Sequence, residues 1–192
     1  MPYLYKSRLK EYGRPQSVIT GPNLNDQEEN RIRKQILHSY RGKDRVFSSE
    51  QTGKASLSKL EGEPLLASLP EDIHWFRAVL TQNELGKVKY VDYPYWNELS
   101  NWSRLPRVAA ENILAGREID EESKDRYFKI SKKLKLKQPM ADLILLAAGS
   151  DDPLVLLEGH ARLTAYFLGD DLPENTTVIV GFSELIREWR FY

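Results

Sequence analysis

The stretch Leu154-Val155-Leu156-Leu157-Glu158-Gly159-His160-Ala161-Arg162-Leu163-Thr164-Ala165-Tyr166 carries the chemistry that is most legible in this chain. An apolar run ends on a carboxylate, Gly159 permits a tight turn, and a helix is expected to start at or near His160. The first N–H groups of a helix have no internal partners, and its dipole favours negative charge at that end, so such a turn is an anion site in waiting. His160 and Arg162 fall in the first turn, where both are expected to reach a bound phosphate, the arginine with two hydrogen bonds. Basic groups there oppose the dipole by roughly 0.3–1 kcal/mol each, which suits a place that expects an anion. Neighbouring carboxylates at Asp151, Asp152 or Glu158 would neutralise them equally well. The plainer reading is an ordinary strand-to-helix turn with solvated His160 and Arg162, and Glu158 salt-bridged to Arg162.

Other chemistries are thinner. The chain has no cysteine, which removes disulfide scaffolds, thiolate zinc sites, iron–sulfur clusters and thiol nucleophiles. His38 and His74 have no partners at metal-ligand spacing. No P-loop, Gly-x-Ser-x-Gly elbow or Gly-x-Gly-x-x-Gly fingerprint is present. The basic run Lys124, Arg126, Lys129, Lys132, Lys133, Lys135 and Lys137 could track a nucleic-acid backbone, but a solvated helix face matched to its dipole accounts for it more simply. Tyr90, Tyr93, Tyr95, Trp96 and Trp102 could stack on a base; at this density they are expected to build core.

The elements that must position these residues lie in 192 residues with 28 basic and 28 acidic side chains, 41% hydrophobic and 10% aromatic. That is enough for a real core and excludes a wholly disordered chain and a generally basic nucleic-acid coat. No run of 18 or more apolar residues offers a membrane span and no secretory signal opens the chain, so a cytoplasmic protein with no membrane partner is expected. Composition shifts at Pro70: residues 1–70 hold 12 basic and 8 acidic residues, residues 71–192 hold 16 and 20. The expected organisation is a polar N-terminal extension over 1–70 and an α+β domain over 71–192.

In the extension one helix is predicted from Asp26 to Tyr40, capped by Asn25 or Asp26 and with Ile32, Ile36 and Tyr40 on one face. The Ser-, Gly- and charge-rich stretch after it reads as a long linker. In the domain, Ile73 to Leu80 reads as a strand and Thr81 to Glu84 as a capping box. Val88 to Tyr93 alternates as a strand ended by Pro94. Helices follow at Ser103-Arg104-Leu105-Pro106, ending at Gly116, and from Glu121 to Leu136. Asp142 to Ala148 and Pro153 to Leu157 form a hairpin across Gly149 to Asp152. Ala161 to Leu168 returns to helix, Thr176 to Val180 is a strand, and Ser183 caps a last short helix, Glu184 to Trp189. Intermixed strands and helices give an α+β or α/β class with a mixed sheet and flanking helices.

LLEGHARLTAYFL, with the hairpin DLILLAAGSDDPLVLLEG before it and TTVIVG after it, resembles the ParB/sulfiredoxin-like superfamily. The likeness covers roughly residues 72–182, and its specific part is the dozen residues around Gly159. It implies a ParB/sulfiredoxin-like fold that binds a nucleotide: CTP in ParB proteins, ATP in sulfiredoxins, ADP in related free-serine kinases. Some members are described as nucleases. Gly159 matches the motif glycine, His160 the position that is Glu in ParB and His in other branches, and Arg162 the phosphate-gripping arginine. Glu158 sits where the kinase-like branch has Asp, a metal or proton-transfer carboxylate. The resemblance thus implies Mg²⁺ with ATP, ADP or CTP. Phosphate would lie on Gly159, His160, Arg162 and Thr164, with His160 and Glu158 as catalytic groups and Glu158 as the metal ligand.

The chain lacks the Gly-Glu-Arg-Arg box of ParB and, ending at Tyr192, is expected to leave no room for a DNA-reading helix-turn-helix. Sulfiredoxin chemistry needs a cysteine beside the motif glycine, and there is none. A phosphotransferase or nucleotide hydrolase remains. Two other classes stay open. One is a nucleic-acid-associated DNA-binding or nuclease-like protein of phage or mobile-element type, reaching nucleic acid through Lys129, Lys132 and Lys133. The other is a non-catalytic protein-interaction domain.

Overall fold

A computed structural model describes residues 24–41, 68–117, 121–149, 151–169 and 172–192. Its frame is one five-stranded mixed sheet: β1 (His74–Thr81), β2 (Lys89–Tyr90), β3 (Leu143–Ala147), β4 (Val155–Glu158) and β5 (Asn175–Phe182), in the order β1-β5-β3-β4-β2. β1 runs antiparallel to β5, with His74 opposite Phe182, and β5 runs parallel to β3. β3 and β4 form the expected antiparallel hairpin, with a register shift between Ile144 and Leu145, and β4 runs parallel to β2. Every residue of β3 and β4 is buried. That is why LILLA and VLLE are apolar runs rather than alternations: these inner strands are covered on both faces.

The helices are α1 (Asp26–Arg41), α2 (Gln82–Leu85), α3 (Pro94–Leu99), α4 (Pro106–Leu114), α5 (Glu121–Lys135) and α6 (His160–Phe167), with a 3₁₀ turn at Glu184–Glu188. Local signals set most of their ends. Asn25 caps α1: the Glu28 N–H donates to its Oδ1, and the Asn25 N–H donates back to the Glu28 carboxylate. Thr81 and Glu84 form the full capping box of α2, Pro106 opens α4, and Ser183 caps the 3₁₀ turn. α6 packs against both α4 and α5. Ile32 and Ile36 of α1 belong to the same core as the sheet, and the Leu24 N–H donates to the Trp75 carbonyl. The Tyr40 side chain, the linker after α1 and Ser150 of the hairpin turn lie outside the described residues.

Three expectations need correcting. The strand expected from Val88 to Tyr93 pairs over Lys89–Tyr90 alone. Beyond it the chain leaves the sheet, and the Asp92 N–H donates to the Phe191 carbonyl instead. Pro94 does not merely end that segment but begins α3, where a missing N–H costs nothing. Trp102 is not core: it is 72% exposed. It lies in a turn whose residues Asn101, Trp102 and Arg104 take positive φ of 51°, 64° and 60°, a conformation that costs L-residues energy. The Ser100 hydroxyl holds the turn by accepting from the Arg104 N–H and donating to the Trp96 carbonyl. Tyr90 and Trp96, by contrast, are buried. Among the described residues no helix is long and apolar enough to cross a membrane.

Candidate functional site

β4 ends at Glu158 and α6 begins at His160, so the whole turn is Gly159. Its backbone is left-handed, φ 102° and ψ 19°, where only glycine is at ease. Space makes the same demand. A Cβ there would lie 2.5 Å from a Leu143 methyl and 3.0 Å from Arg162 Nη2. The Leu163 N–H closes the first turn on the Gly159 carbonyl, and no side chain caps the helix start.

Arg162 folds back over this glycine. Its Nη2 pairs with the Glu158 carboxylate, and the two side chains are only 15% and 11% exposed. The same nitrogen donates to the Asp142 carbonyl at 3.3 Å. Gln35 on α1 completes the group, its Nε2 lying 3.4 Å from both the Glu158 carboxylate and the Asp142 carbonyl. The Asp142 carboxylate accepts from Arg77 Nη1 on β1 at 2.9 Å. Two arginines and two carboxylates thus stand at one place, with no formal charge left over.

His160 and Thr164 lie elsewhere. Residues two apart on a helix point to opposite sides, whereas residues four apart share one. His160 and Thr164 are four apart on α6 and share a side; Arg162, two residues from each, points away from them, toward Glu158 at the end of β4. The His160 ring is 2% exposed. It stacks on Trp96 with centroids 4.7 Å apart and planes 13° apart, and on Tyr90 at 5.8 Å and 21°. Thr164 Oγ1 donates to the His160 carbonyl at 2.7 Å and lies 2.6 Å from the Tyr90 hydroxyl. Burial pushes the Tyr90 phenol well above its usual range, so it remains protonated. The structure does not bring the His160 ring and the Arg162 guanidinium together: Glu158, Gly159 and Arg162 meet at one place, while His160 and Thr164 brace the helix against an aromatic stack.

A cleft of about 250 Å³ opens beside Arg162, between the end of α5, the side of α6 and the beginnings of β3 and β5. Arg162, Tyr166, Asp142, Gln138 and Thr176 contribute to its walls. Burial raises the Tyr166 phenol and the nearby Arg162 opposes that rise. Two polar atoms of these lining residues, Arg162 Nε and Thr176 Oγ1, are buried with no hydrogen-bond partner among the described residues. Buried polar groups are nearly always bonded, so each such atom calls for an explanation.

Gln35, Arg77 and Asp142 had no signal in the sequence: they reach Glu158 and Arg162 only through tertiary packing. Thr176 had one. Residues 176, 178 and 180 are buried on one face of β5, and two of the three are valines.

On the far side of α5, Lys129, Lys132 and Lys133 are exposed. They carry no ion pair among the described residues, as on a solvated face. No group of three or more His, Cys, Asp or Glu able to hold a metal ion occurs among the described residues. No family model, no curated protein and no solved structure matches this chain.

Proposed function

We propose that this chain binds a nucleotide in the manner of the ParB/sulfiredoxin-like superfamily, with the phosphates at the start of α6 beside Arg162. The observation that supports it is the placement of Arg162: beside a polar cleft, in the first turn of a helix without a side-chain cap, with a buried Nε–H that has no acceptor among the described residues. An anionic oxygen is the natural acceptor for that N–H, and the helix dipole adds to the attraction.

Binding is carried further here than catalysis. The His160 ring is sealed into the stack with Trp96 and Tyr90, so its role is to hold the helix start in place rather than to move a proton. The Glu158 carboxylate is engaged by Arg162 and Gln35. A Mg²⁺ held by the protein does not fit that donor set, since hard cations want free oxygen ligands. Mg²⁺ enters only as the counter-ion that ATP, ADP or CTP brings.

Isothermal titration with ATP, ADP and CTP, each with and without Mg²⁺, tests this on the full chain. Saturable binding is expected for at least one of them, weakened in Arg162→Lys, which keeps the charge but loses the two-pronged grip. No heat from any of the three, on protein whose circular dichroism shows it folded, overturns it.

A further inference from the structure

We infer that the cleft beside Arg162 seats the uncharged nucleoside end of that ligand, and that the Thr176 hydroxyl is its hydrogen-bond partner there; this rests on the nucleotide reading above. Thr176 is 7% exposed, its Oγ1 is buried, and no group among the described residues bonds to it. The fold does not ask for that hydroxyl. Its β5 neighbours on the same face are Val178 and Val180, both fully buried, and valine at 176 would continue the row without leaving a polar atom unsatisfied. A buried hydroxyl with nothing to bond is a cost, and a ligand that completes the bond is its simplest reason.

The chemistry of the walls says which end of a nucleotide belongs here. The positive charge sits at one edge, on Arg162, and the Asp142 carboxylate lies on the same wall. The remaining polar groups, among them Gln138, Tyr166 and Thr176, are neutral donors and acceptors, and Leu134 and Leu143 supply apolar surface. Such walls suit a sugar or a base edge, and apart from Arg162 they offer no cation to a chain of phosphates. Size agrees. About 250 Å³ is below the roughly 300–1,000 Å³ that encloses a drug-sized ligand, so the cleft takes part of a nucleotide and leaves the phosphates outside, against Arg162.

The test titrates ATP, CTP and inorganic tripolyphosphate into the wild-type chain, Thr176→Val and Thr176→Ser. Thr176→Val is expected to weaken the better-binding nucleotide about 3- to 10-fold, the cost of one neutral hydrogen bond. Tripolyphosphate binding should stay unchanged, Thr176→Ser should keep wild-type affinity, and the Tm of the free Thr176→Val protein should rise. Unaltered nucleotide affinity in Thr176→Val overturns the assignment, whichever way its Tm moves. Tripolyphosphate bound as tightly as ATP and CTP also overturns it, while leaving phosphate binding at Arg162 intact. If neither tripolyphosphate nor any nucleotide binds, both readings fall together.

Discussion

Removing Arg162 should cost more than its exposure suggests, and the cost can be worked out from its partners. Glu158 is 11% exposed at its side chain, and Arg162 is its ion-pair partner. Without the guanidinium, the carboxylate keeps, among the described residues, only Gln35 Nε2, at 3.4 Å. Breaking a buried pair by deleting one member typically costs about 3–5 kcal/mol, because a charge is left behind without compensation. The surviving amide contact and slight solvent access place Arg162→Met near the lower end, at about 3 kcal/mol. Glu158→Gln leaves the arginine with the Asp142 carbonyl and a neutral amide, a loss of roughly 1–2 kcal/mol. The double variant Glu158→Gln/Arg162→Met removes both charges and should lie within about 1 kcal/mol of wild type, a coupling of about 3–5 kcal/mol between the two positions. Urea unfolding at pH 7 measures all four corners, with unchanged m-values as the sign that one transition is being compared. A loss below about 1 kcal/mol in Arg162→Met, or a double variant less stable than Arg162→Met, refutes the picture of a buried, mutually dependent pair. Against a total stability of about 5–15 kcal/mol, this also explains why Arg162→Lys, and not a truncation, belongs in the binding experiment.

Gly159→Ala combines a left-handed backbone with a Cβ 2.5 Å from Leu143, so strain and overpacking together should cost about 2–4 kcal/mol; a thermal midpoint equal to wild type would mean that the turn is not held as described. The chain should also lose stability in alkali. Burial raises the phenols of Tyr90 and Tyr127 far above the usual value, so above pH 10 the unfolded chain ionises both while the folded chain keeps both protons. Stability from this source is full below about pH 10 and falls by up to about 1.4 kcal/mol per pH unit for each phenol as the pH rises beyond it. Urea midpoints between pH 9 and 11.5 should show that slope and should show it reduced in Tyr127→Phe; midpoints that stay level to pH 11.5 contradict it.

The fold is legible along the chain where its determinant is local. The Thr81–Glu84 box, the Asn25 cap, Pro106 at one end of α4 and the apolar runs of β3 and β4 each declare themselves within a few residues. Gly159 belongs with them, since a strand running into a helix through one residue needs a left-handed backbone there. The rest is hidden from the sequence where a local signal has two meanings or a distant partner decides. Proline at 94 serves both to end a strand and to begin a helix, and the Phe191 carbonyl, far along the chain, draws Asp92 out of the sheet. Trp102 has the composition of a core residue, but a turn locked by Ser100 points it outward. Gln35, Arg77 and Asp142 meet Glu158 and Arg162 only because α1, β1 and the approach to β3 are packed around the end of β4. The separation of His160 from Arg162 was available from helix periodicity alone.

The neutrality of that cluster decides how a polyphosphate would have to arrive. Arg77 faces Asp142 and Arg162 faces Glu158, so the site offers no standing positive charge to attract an anion from a distance. A phosphate drawn to Arg162 must share the guanidinium with Glu158, and bringing a second negative group beside a buried carboxylate costs energy unless the ligand carries its own cation. The Arg162–Glu158 contact runs through Nη2 alone, so Nε and Nη1 are where a phosphate oxygen can bond without displacing the pair. A nucleotide complexed with Mg²⁺ meets the carboxylate with less charge than the free nucleotide does. On electrostatic grounds, then, the arms of the titration with and without Mg²⁺ should differ more for the triphosphates ATP and CTP than for ADP, even though no metal-holding group of three or more His, Cys, Asp or Glu occurs among the described residues.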